Sequence, residues 1–425
     1  HPHHGGAIRL RHLEVVDERS QIVGNHAVAL APLPRQRSGS QEGAGGLRVY
    51  DVASVANKGV SQRIVSAPFS PLGQDTHVPS RDATCVALPT NQPIAPQRNQ
   101  GELMRVTNQE QPFHPIYHYA FVVDAEEGLV LVDVDTLADG EPRNNFLERA
   151  LTWNGDGVLA GARHVTVGGH FLYIAADAGL VVVDVDKPLA PRVAAVLPMR
   201  GVRATALQFR YLFATTAAGL QVVDVTHPAR PRLVPGASVA VDDAHGLYVA
   251  RTYAYVAAGR QGLAIVNVER PEQPRLLTHF TADGRLDDAR DVVVGSTNAS
   301  LFAYVADGRN GMKVLQVTSP DSQPNFYGFS PEPKPELIAW ARTPSPAMSM
   351  SKGLDRDRAV DETGGQMAVF GRLGSRPFNR SEMEKLFLTS KGIPWKVSDT
   401  PDMSRWVAGS GPIIATSDER RVTGS

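Results

Sequence analysis

Six copies of one seven-residue pattern constrain this chain more than anything else in it. The pattern is Gly-(Leu/Met)-x-(apolar)-x-(polar)-Val. It appears as Gly46-Leu47-Arg48-Val49-Tyr50-Asp51-Val52 and again from Gly128, Gly179, Gly219, Gly262 and Gly311. The copies start 82, 51, 40, 43 and 49 residues apart. A period of about 40–50 residues without helical apolar spacing is that of propeller blades.

Each copy carries similar flanks. Upstream lies an alternating aromatic/small strand, as in Tyr119-Ala120-Phe121-Val122, Phe171-Leu172-Tyr173-Ile174, Tyr211-Leu212-Phe213-Ala214, Tyr253-Ala254-Tyr255-Val256 and Phe302-Ala303-Tyr304-Val305. Period-2 alternation of this kind is a strand buried on its faces. A short Asp/Ala/Gly/Arg link suits a hairpin. Downstream come paired prolines, such as Pro188 and Pro191 or Pro228 and Pro231. Proline fixes φ and removes a donor, so each pair ends one strand before the next. An outer strand follows, as in Arg192-Val193-Ala194-Ala195-Val196. A first strand, such as His164-Val165-Thr166-Val167, makes four per unit.

The Gly-Leu strand with these flanks resembles the LVIVD-repeat family, over about residues 20–340. The resemblance implies a β-propeller, mostly an exported bacterial or archaeal protein, sometimes beside or fused to multihaem cytochromes. It implies an extracellular, periplasmic or cell-surface setting. The family has no agreed catalytic motif, so the resemblance implies no reaction.

We expect an all-β propeller of seven four-stranded antiparallel blades, with six as the alternative. Gly365-Gln366-Met367-Ala368-Val369-Phe370-Gly371 reads as a degenerate seventh Gly-Leu strand, and Ala347-Met348-Ser349-Met350 as that blade's first strand. An N-terminal strand at about 7–16 supplies its fourth and removes two exposed edges. The propeller then spans 1–372, with residues 89–118 as a polar insertion in the second blade. The tail, 373–425, carries a short helix signalled by Ser381 and Glu384 before Leu386, ended by Gly392 and Pro394. Trp395 and Trp406 follow, and we expect the tail to pack on the disc or on a partner.

Composition narrows the function. Lys and Arg number 43 against 44 Asp and Glu, which argues against a bulk electrostatic grip on nucleic acid or anionic lipid. Cys85 is the only cysteine. A disulfide within the chain, a C-x-x-C-H haem attachment and a cysteine zinc framework are thereby excluded. No apolar run approaches the ~20 residues of a membrane-spanning helix. The start at His1, without Met, reads as a processed or partial beginning, with any targeting segment upstream.

Candidate chemistry sits in four places. The motif acids Asp51, Asp133, Asp184 and Asp224, with Asn267 and Gln316 in the later copies, read chiefly as caps on the proline turns rather than as a carboxylate ring. The starts of the first strands carry Arg81-Asp82, Arg163-His164, Arg203, Asp242-Asp243-Ala244-His245 and Asp287-Asp288-Ala289-Arg290-Asp291. In a propeller these stand at the channel mouth. Arg163, His164, Arg203, His245, Arg290 and Asp291 are therefore candidate binding residues for an anion, a metal or a small polar ligand. The alternative is ion pairs satisfied among themselves that close the opening. His1, His3 and His4 are candidate metal or haem contacts, as are His114 and His118 in the insertion; a linker end or tag remnant is the alternative for the former. The acids of Asp355–Glu362 miss the EF-hand pattern and are interleaved with Arg356 and Arg358, which favours internal ion pairs over Ca²⁺.

Local enzyme signatures such as G-x-S-x-G, H-E-x-x-H and the P-loop are missing from the sequence. Propeller enzymes that take one residue per blade leave no such motif, so an enzyme is weighed against rather than excluded. The expectation is a non-catalytic exported propeller, a binding or scaffold module for a protein partner. One form of it is an accessory or terminal domain in an extracellular multihaem-cytochrome electron-transfer assembly, with the N-terminal histidines near a haem. The alternative is an enzyme at the channel mouth using His164, His245 and the neighbouring Arg and Asp.

Overall fold

The computed structural model describes residues 20–23, 26–31, 46–51, 77–89, 101–107, 113–137, 146–297, 300–319, 330–351, 372–373, 376–377 and 388–393. These form six four-stranded antiparallel sheets. The first holds β1 (Ser20–Val23), β2 (His26–Ala31), β3 (Gly46–Asp51) and β4 (His77–Pro79). The second holds β5 (Ala83–Ala87), β6 (Tyr119–Asp124), β7 (Gly128–Asp133) and β8 (Glu148–Trp153). The third holds β9 (His164–Gly168), β10 (Phe171–Ala176), β11 (Gly179–Asp184) and β12 (Arg192–Leu197). In the fourth are β13 (Ala204–Gln208), β14 (Tyr211–Thr216), β15 (Gly219–Asp224) and β16 (Arg232–Val239). In the fifth are β17 (Leu247–Ala250), β18 (Tyr253–Ala257), β19 (Leu263–Asn267) and β20 (Arg275–Phe280). The sixth holds β21 (Asp291–Thr297), β22 (Ser300–Ala306), β23 (Met312–Thr318) and β24 (Glu336–Ala341). Spatial order follows chain order in every sheet, as the repeat predicts.

The aromatic strands show why the sheets stack. Successive side chains point to opposite faces of a strand. Phe121 and Val123 of β6 join a core with β9–β11 of the third sheet, while Ala120 and Val122 join Leu47 and Val49 of the first. Tyr173 faces the fourth sheet, and Leu172 and Ile174 face the second. Tyr255 faces the sixth, and Ala254 and Val256 face the fourth. Five cores thus fill the five joints between six consecutive sheets. First strands also neighbour one another in order, from β5 through β9, β13 and β17 to β21. That is a β-propeller, derived from which face each residue occupies.

The repeated glycine and acid have mechanical roles. Gly179 and Gly219 sit at φ +115 and +117, and a Cβ on either would overlap the backbone leaving the outer strand, at Leu197 and Met199 or at Val239 and Val241. Only glycine allows both the left-handed backbone and this approach. The motif acids cap the proline turns, as expected. Asp133 Oδ1 accepts the Asp135 N–H at 2.9 Å, Asp184 Oδ1 the Asp186 N–H at 2.9 Å, and Asp224 Oδ1 the Thr226 N–H at 2.9 Å. Asn267 does the same for Glu269 at 2.9 Å without a charge. The outer strands of the second to sixth sheets share one register shift against the Gly-Leu strand. Such a bulge bends an edge away from unwanted pairing.

Little helix is present. A short π turn (Leu103–Thr107) and two 3₁₀ turns (Pro115–His118, Asp135–Leu137) are the helical elements among the described residues. No helix among them is long and apolar enough to cross a membrane. The residues that join β5 to β6 include the π turn and the first 3₁₀ turn. A two-stranded hairpin pairs Arg372–Leu373 with Arg376–Pro377, and Leu388 of the tail packs against the core between the third and fourth sheets. His1, His3 and His4, the strand at 7–16, the Gly365–Gly371 strand, Asp355–Glu362, the helix after Ser381, Trp395 and Trp406 lie outside the described residues.

Candidate functional site

The hydrogen-bond register aligns the mouth more sharply than the sequence does. The N–H groups of Arg163, Arg203, His245 and Arg290 bond to the carbonyls of Ala175, Thr215, Ala257 and Ala306 at 2.8–2.9 Å. These four residues therefore occupy one repeated position, where each first strand begins. His164 and Asp291 occupy the next position along.

The repeated position reaches across the joints between sheets. Thr84 Oγ1, from the second sheet, donates to the Ala162 carbonyl at 2.7 Å. Arg163 Nη1 donates to the Val202 carbonyl at 3.4 Å, and Arg203 Nη1 to the Ala244 carbonyl at 2.7 Å. Each bond ties one sheet to the next at an equivalent carbonyl. His245 breaks the pattern, because its ring meets Arg290 Nη1 at 3.0 Å. Arg290 turns back toward the fifth sheet and rests its Nε on Asp288 Oδ1 at 2.8 Å. Asp291 faces forward instead, where Oδ2 accepts the Ser349 hydroxyl at 3.0 Å and the Met350 N–H at 2.9 Å.

The six candidates thus divide. Arg203, His245 and Arg290 form one network through Asp243 and Asp288, with Arg203 Nη1 3.0 Å from Asp243 Oδ1 and His245 Nε2 3.1 Å from the same oxygen. Arg163 pairs with Asp177 in the β10–β11 turn. His164 Nδ1 accepts the Thr205 N–H at 3.2 Å, beside the Thr166 and Thr205 hydroxyls, which are 2.8 Å apart. Asp291 belongs to the joint with residues 349–350.

Charge follows geometry. Burial lowers the His245 pKa below 6.5; Arg290 and Arg203 push the same way, against Asp243. Burial alone would raise Asp243, but the nearness of His245 and Arg203 outweighs it and holds its carboxyl below the usual range. In the sixth sheet, burial raises Asp307, whose Oδ2 lies 3.7 Å from Lys313 Nζ.

On the opposite side of the disc the insertion histidines each meet a carboxylate. His118 Nδ1 lies 2.6 Å from Asp135 Oδ2, and that bond raises its pKa against the effect of burial. His114 Nε2 lies 3.3 Å from Asp186 Oδ1 of the third sheet. They are anchors of the insertion rather than a shared ligand pair. Among the described residues no group of three or more His, Cys, Asp or Glu is placed to hold a metal ion.

Asp177, Asp243, Asp288 and Thr205 complete the interactions of Arg163, His245, Arg290 and His164. Asp243 and Asp288 stood in the mouth segments of the sequence, two residues upstream of His245 and Arg290; the other two partners were missed. Asp177 and Thr205 carried no local signal.

Comparison with known proteins agrees on the repeat. The family profile described as LVIVD repeat matches residues 118–138, 161–194, 242–281 and 288–329. The chain carries LVIVD repeats at these places, and its β13–β16 sheet has the same order and turn chemistry without a match. No curated protein matches the chain. Among solved structures, the β-propeller domain of Cps50 (Swd1) from Myceliophteria thermophila is 12% identical, with TM-score 0.45, covering 78% of this chain and 88% of that one. A functionally unknown protein from Desulfotomaculum acetoxidans DSM 771 is 8% identical, TM-score 0.42, covering 78% and 84%. The computationally designed Ika8 protein is 10% identical, TM-score 0.40, covering 71% of each chain.

Proposed function

We propose that this propeller is a non-catalytic binding or scaffold module that presents a rigid disc to a protein partner. The observation that carries the reading is the mouth itself, where Arg163, Arg203, His245 and Arg290 are spent on bonds across the joints. Those bonds stiffen the disc. We propose the same mouth as the ligand-facing site of the module, with Arg163, His164, Arg203, His245, Arg290 and Asp291 as its lining. In the finer form of the proposal the protein is exported and serves a multihaem-cytochrome assembly through His1, His3 and His4. Sedimentation of the chain with a purified multihaem cytochrome tests that form. Co-sedimentation lost on His3→Ala/His4→Ala substitution supports it, and independent sedimentation overturns it.

The proposal includes a seventh blade, begun by residues 347–350. Ala347 bridges to Gly308 as Ala289 bridges to Gly259 one sheet earlier. Tyr304 occupies the β22 position of the fully buried Phe121, Tyr173, Phe213 and Tyr255, yet is only half-buried. On β24, Ile338 and Trp340 are exposed. A further sheet built from residues 347–371 and the 7–16 strand would cover these groups. Deleting residues 1–16 should then lower the thermal midpoint; an unchanged midpoint overturns closure by the N-terminus.

The Asp243–His245 pair at 3.1 Å favours one second reading, an enzyme at the mouth. Hydrolytic turnover by the purified chain, abolished in His245→Gln with the fold intact, would establish it.

A further inference from the structure

One imidazole nitrogen at the mouth faces two groups that make opposite demands on it. His245 Nε2 lies 3.1 Å from Asp243 Oδ1 and 3.0 Å from Arg290 Nη1. A carboxylate accepts, so Asp243 calls for a proton on Nε2. A guanidinium only donates, so Arg290 calls for the Nε2 lone pair. A neutral ring serves one of them at a time.

The surroundings decide which. Asp243 has another donor in Arg203 Nη1 at 3.0 Å. Arg290 gives its Nε and Nη2 to Asp288 and its Nη1 to His245. The arrangement that partners Nε2, Asp243 and Arg290 together with a neutral ring puts the proton on Nδ1 and leaves Nε2 to accept from Arg290. A protonated ring has no lone pair, so its Nε2–H turns to Asp243 and the two cations separate.

We infer that His245 is a proton-operated switch in the joint between the fifth and sixth sheets, whose acid form releases an Arg290 N–H to an oxyanion at the channel mouth. The inference rests on the reading of the mouth as a ligand site. The charged groups acting on the ring are Asp243 from its own segment, Arg290 from the start of β21 and Arg203 from the start of β13. Asp288 and Asp291 flank Arg290, and Asp242 is turned to Gln261 at 3.2 Å. The proton comes from solvent, and no bond other than hydrogen bonds changes. The Gly246 N–H also donates to the Arg290 carbonyl at 3.0 Å, a backbone bond between the two sheets beside the ring. The Arg290 side chain keeps 31% of its surface exposed, enough for a carboxylate or phosphate group to reach the freed donor. Burial and both guanidiniums act against protonation, which places the switch on the acid side of the usual histidine range.

Nitrogen-15 NMR of the histidine rings in the full chain tests this between pH 5 and 8, with inorganic phosphate as the probe. Three results are expected. At neutral pH the His245 proton sits on Nδ1. Arg290→Gln raises the titration midpoint and Asp243→Asn lowers it. Phosphate shifts the Arg290 Nε resonance at least threefold more at the acid end than at pH 8. A neutral ring with its proton on Nε2, or a midpoint indifferent to both substitutions, overturns the switch. If either variant fails to fold, the wild-type tautomer still decides. Tautomer and midpoints as expected, with Arg290 indifferent to phosphate, overturn the oxyanion half and leave the scaffold reading of the disc standing.

Discussion

The two sides of the disc solve the same repetition differently. On the side of the proline turns, the second to fifth sheets repeat one bond, from a motif Asp or Asn oxygen to the N–H two residues on. On the side of the mouth, the sheets repeat a position without holding to one residue or one contact: Thr84, Arg163 and Arg203 donate to an equivalent carbonyl of the next sheet, whereas His245 meets the Arg290 side chain and Arg290 turns back to Asp288. A bond repeated with the same chemistry is the signature of a requirement of the fold. A position repeated with different chemistry is one where the fold asks only for a contact, leaving the choice of side chain open to binding or regulation.

Substitution at the repeated glycine should break the uniform side hardest. Gly179→Val combines a left-handed backbone with overlap on the Leu197–Met199 backbone. Strain alone costs on the order of 1–3 kcal/mol, and the overlap adds to it. Gly284 offers the control: its φ is +79 but a Cβ there meets nothing within 4 Å. Gly284→Ala should cost about 1 kcal/mol. Denaturant midpoints of the two variants measure the difference, and equal losses would show that the close approach carries no weight.

The next largest effect separates a buried arginine from an exposed one. Arg210 has 10% of its side chain exposed, lies between Asp224 and Glu272 of the next sheet, and stacks 4.3 Å from the Tyr211 ring centre. Arg203 at the mouth is 33% exposed. Removing one partner of a buried pair leaves a buried charge, so Arg210→Ala should cost roughly 2–4 kcal/mol. Arg203→Ala should cost under about 1 kcal/mol, because solvent screens its pairs. Thermal unfolding of both variants at neutral pH checks the ranking.

A smaller effect tests whether the motif acid matters as a charge. Asp184→Ala deletes the bond to the Asp186 N–H, worth about 1 kcal/mol. Asp184→Asn keeps the accepting oxygen, as Asn267 does in the fifth sheet, and should cost only a few tenths of that. The Arg192 partner is 74% exposed, so losing its pairing changes little. A full loss in the Asn variant would make the carboxylate charge the essential feature.

What was legible in the sequence follows the same division. Gly179, Asp184 and the Tyr173 strand could be read locally, because each acts on residues of its own repeat and recurs at a fixed offset. The mouth was legible as a position, since Arg163, Arg203, His245 and Arg290 precede recognisable first strands. Its wiring was not. Thr205 lies 41 residues from His164, and Arg290 lies 45 from His245. Such pairs depend on how one sheet is turned against the next, which a period in the sequence does not encode. Asp307 makes the point within one position. Like its counterpart Asp124, which receives the Asp82 N–H at 2.7 Å, it receives a backbone N–H, from Asp288 at 2.8 Å; but the second partner is the Ser80 hydroxyl at Asp124 and Lys313, across 3.7 Å, at Asp307.

The smallest effect is also the one that sets the two sides against each other by sign. His118 and His245 both start from an ordinary pKa of 6.5, but the fold moves them in opposite directions. The bond to Asp135 raises His118 in the folded chain. Its contribution is therefore fully present below 6.5 and is lost as pH rises through the raised folded value. Burial and two guanidiniums lower His245. Below 6.5 the unfolded chain takes up this proton first, so stability at His245 is intact above 6.5 and declines as pH falls toward the folded value. Replacing each with Gln and following the thermal midpoint from pH 5 to 8 isolates the two contributions. The His118→Gln chain should lose most relative to wild type at pH 5 and least at pH 8. The His245→Gln chain should show the reverse slope, gaining on wild type as the solution is acidified. Parallel difference curves would mean that the two histidines share one environment, and would remove the physical basis for treating the turn side as an anchor and the mouth as a switch.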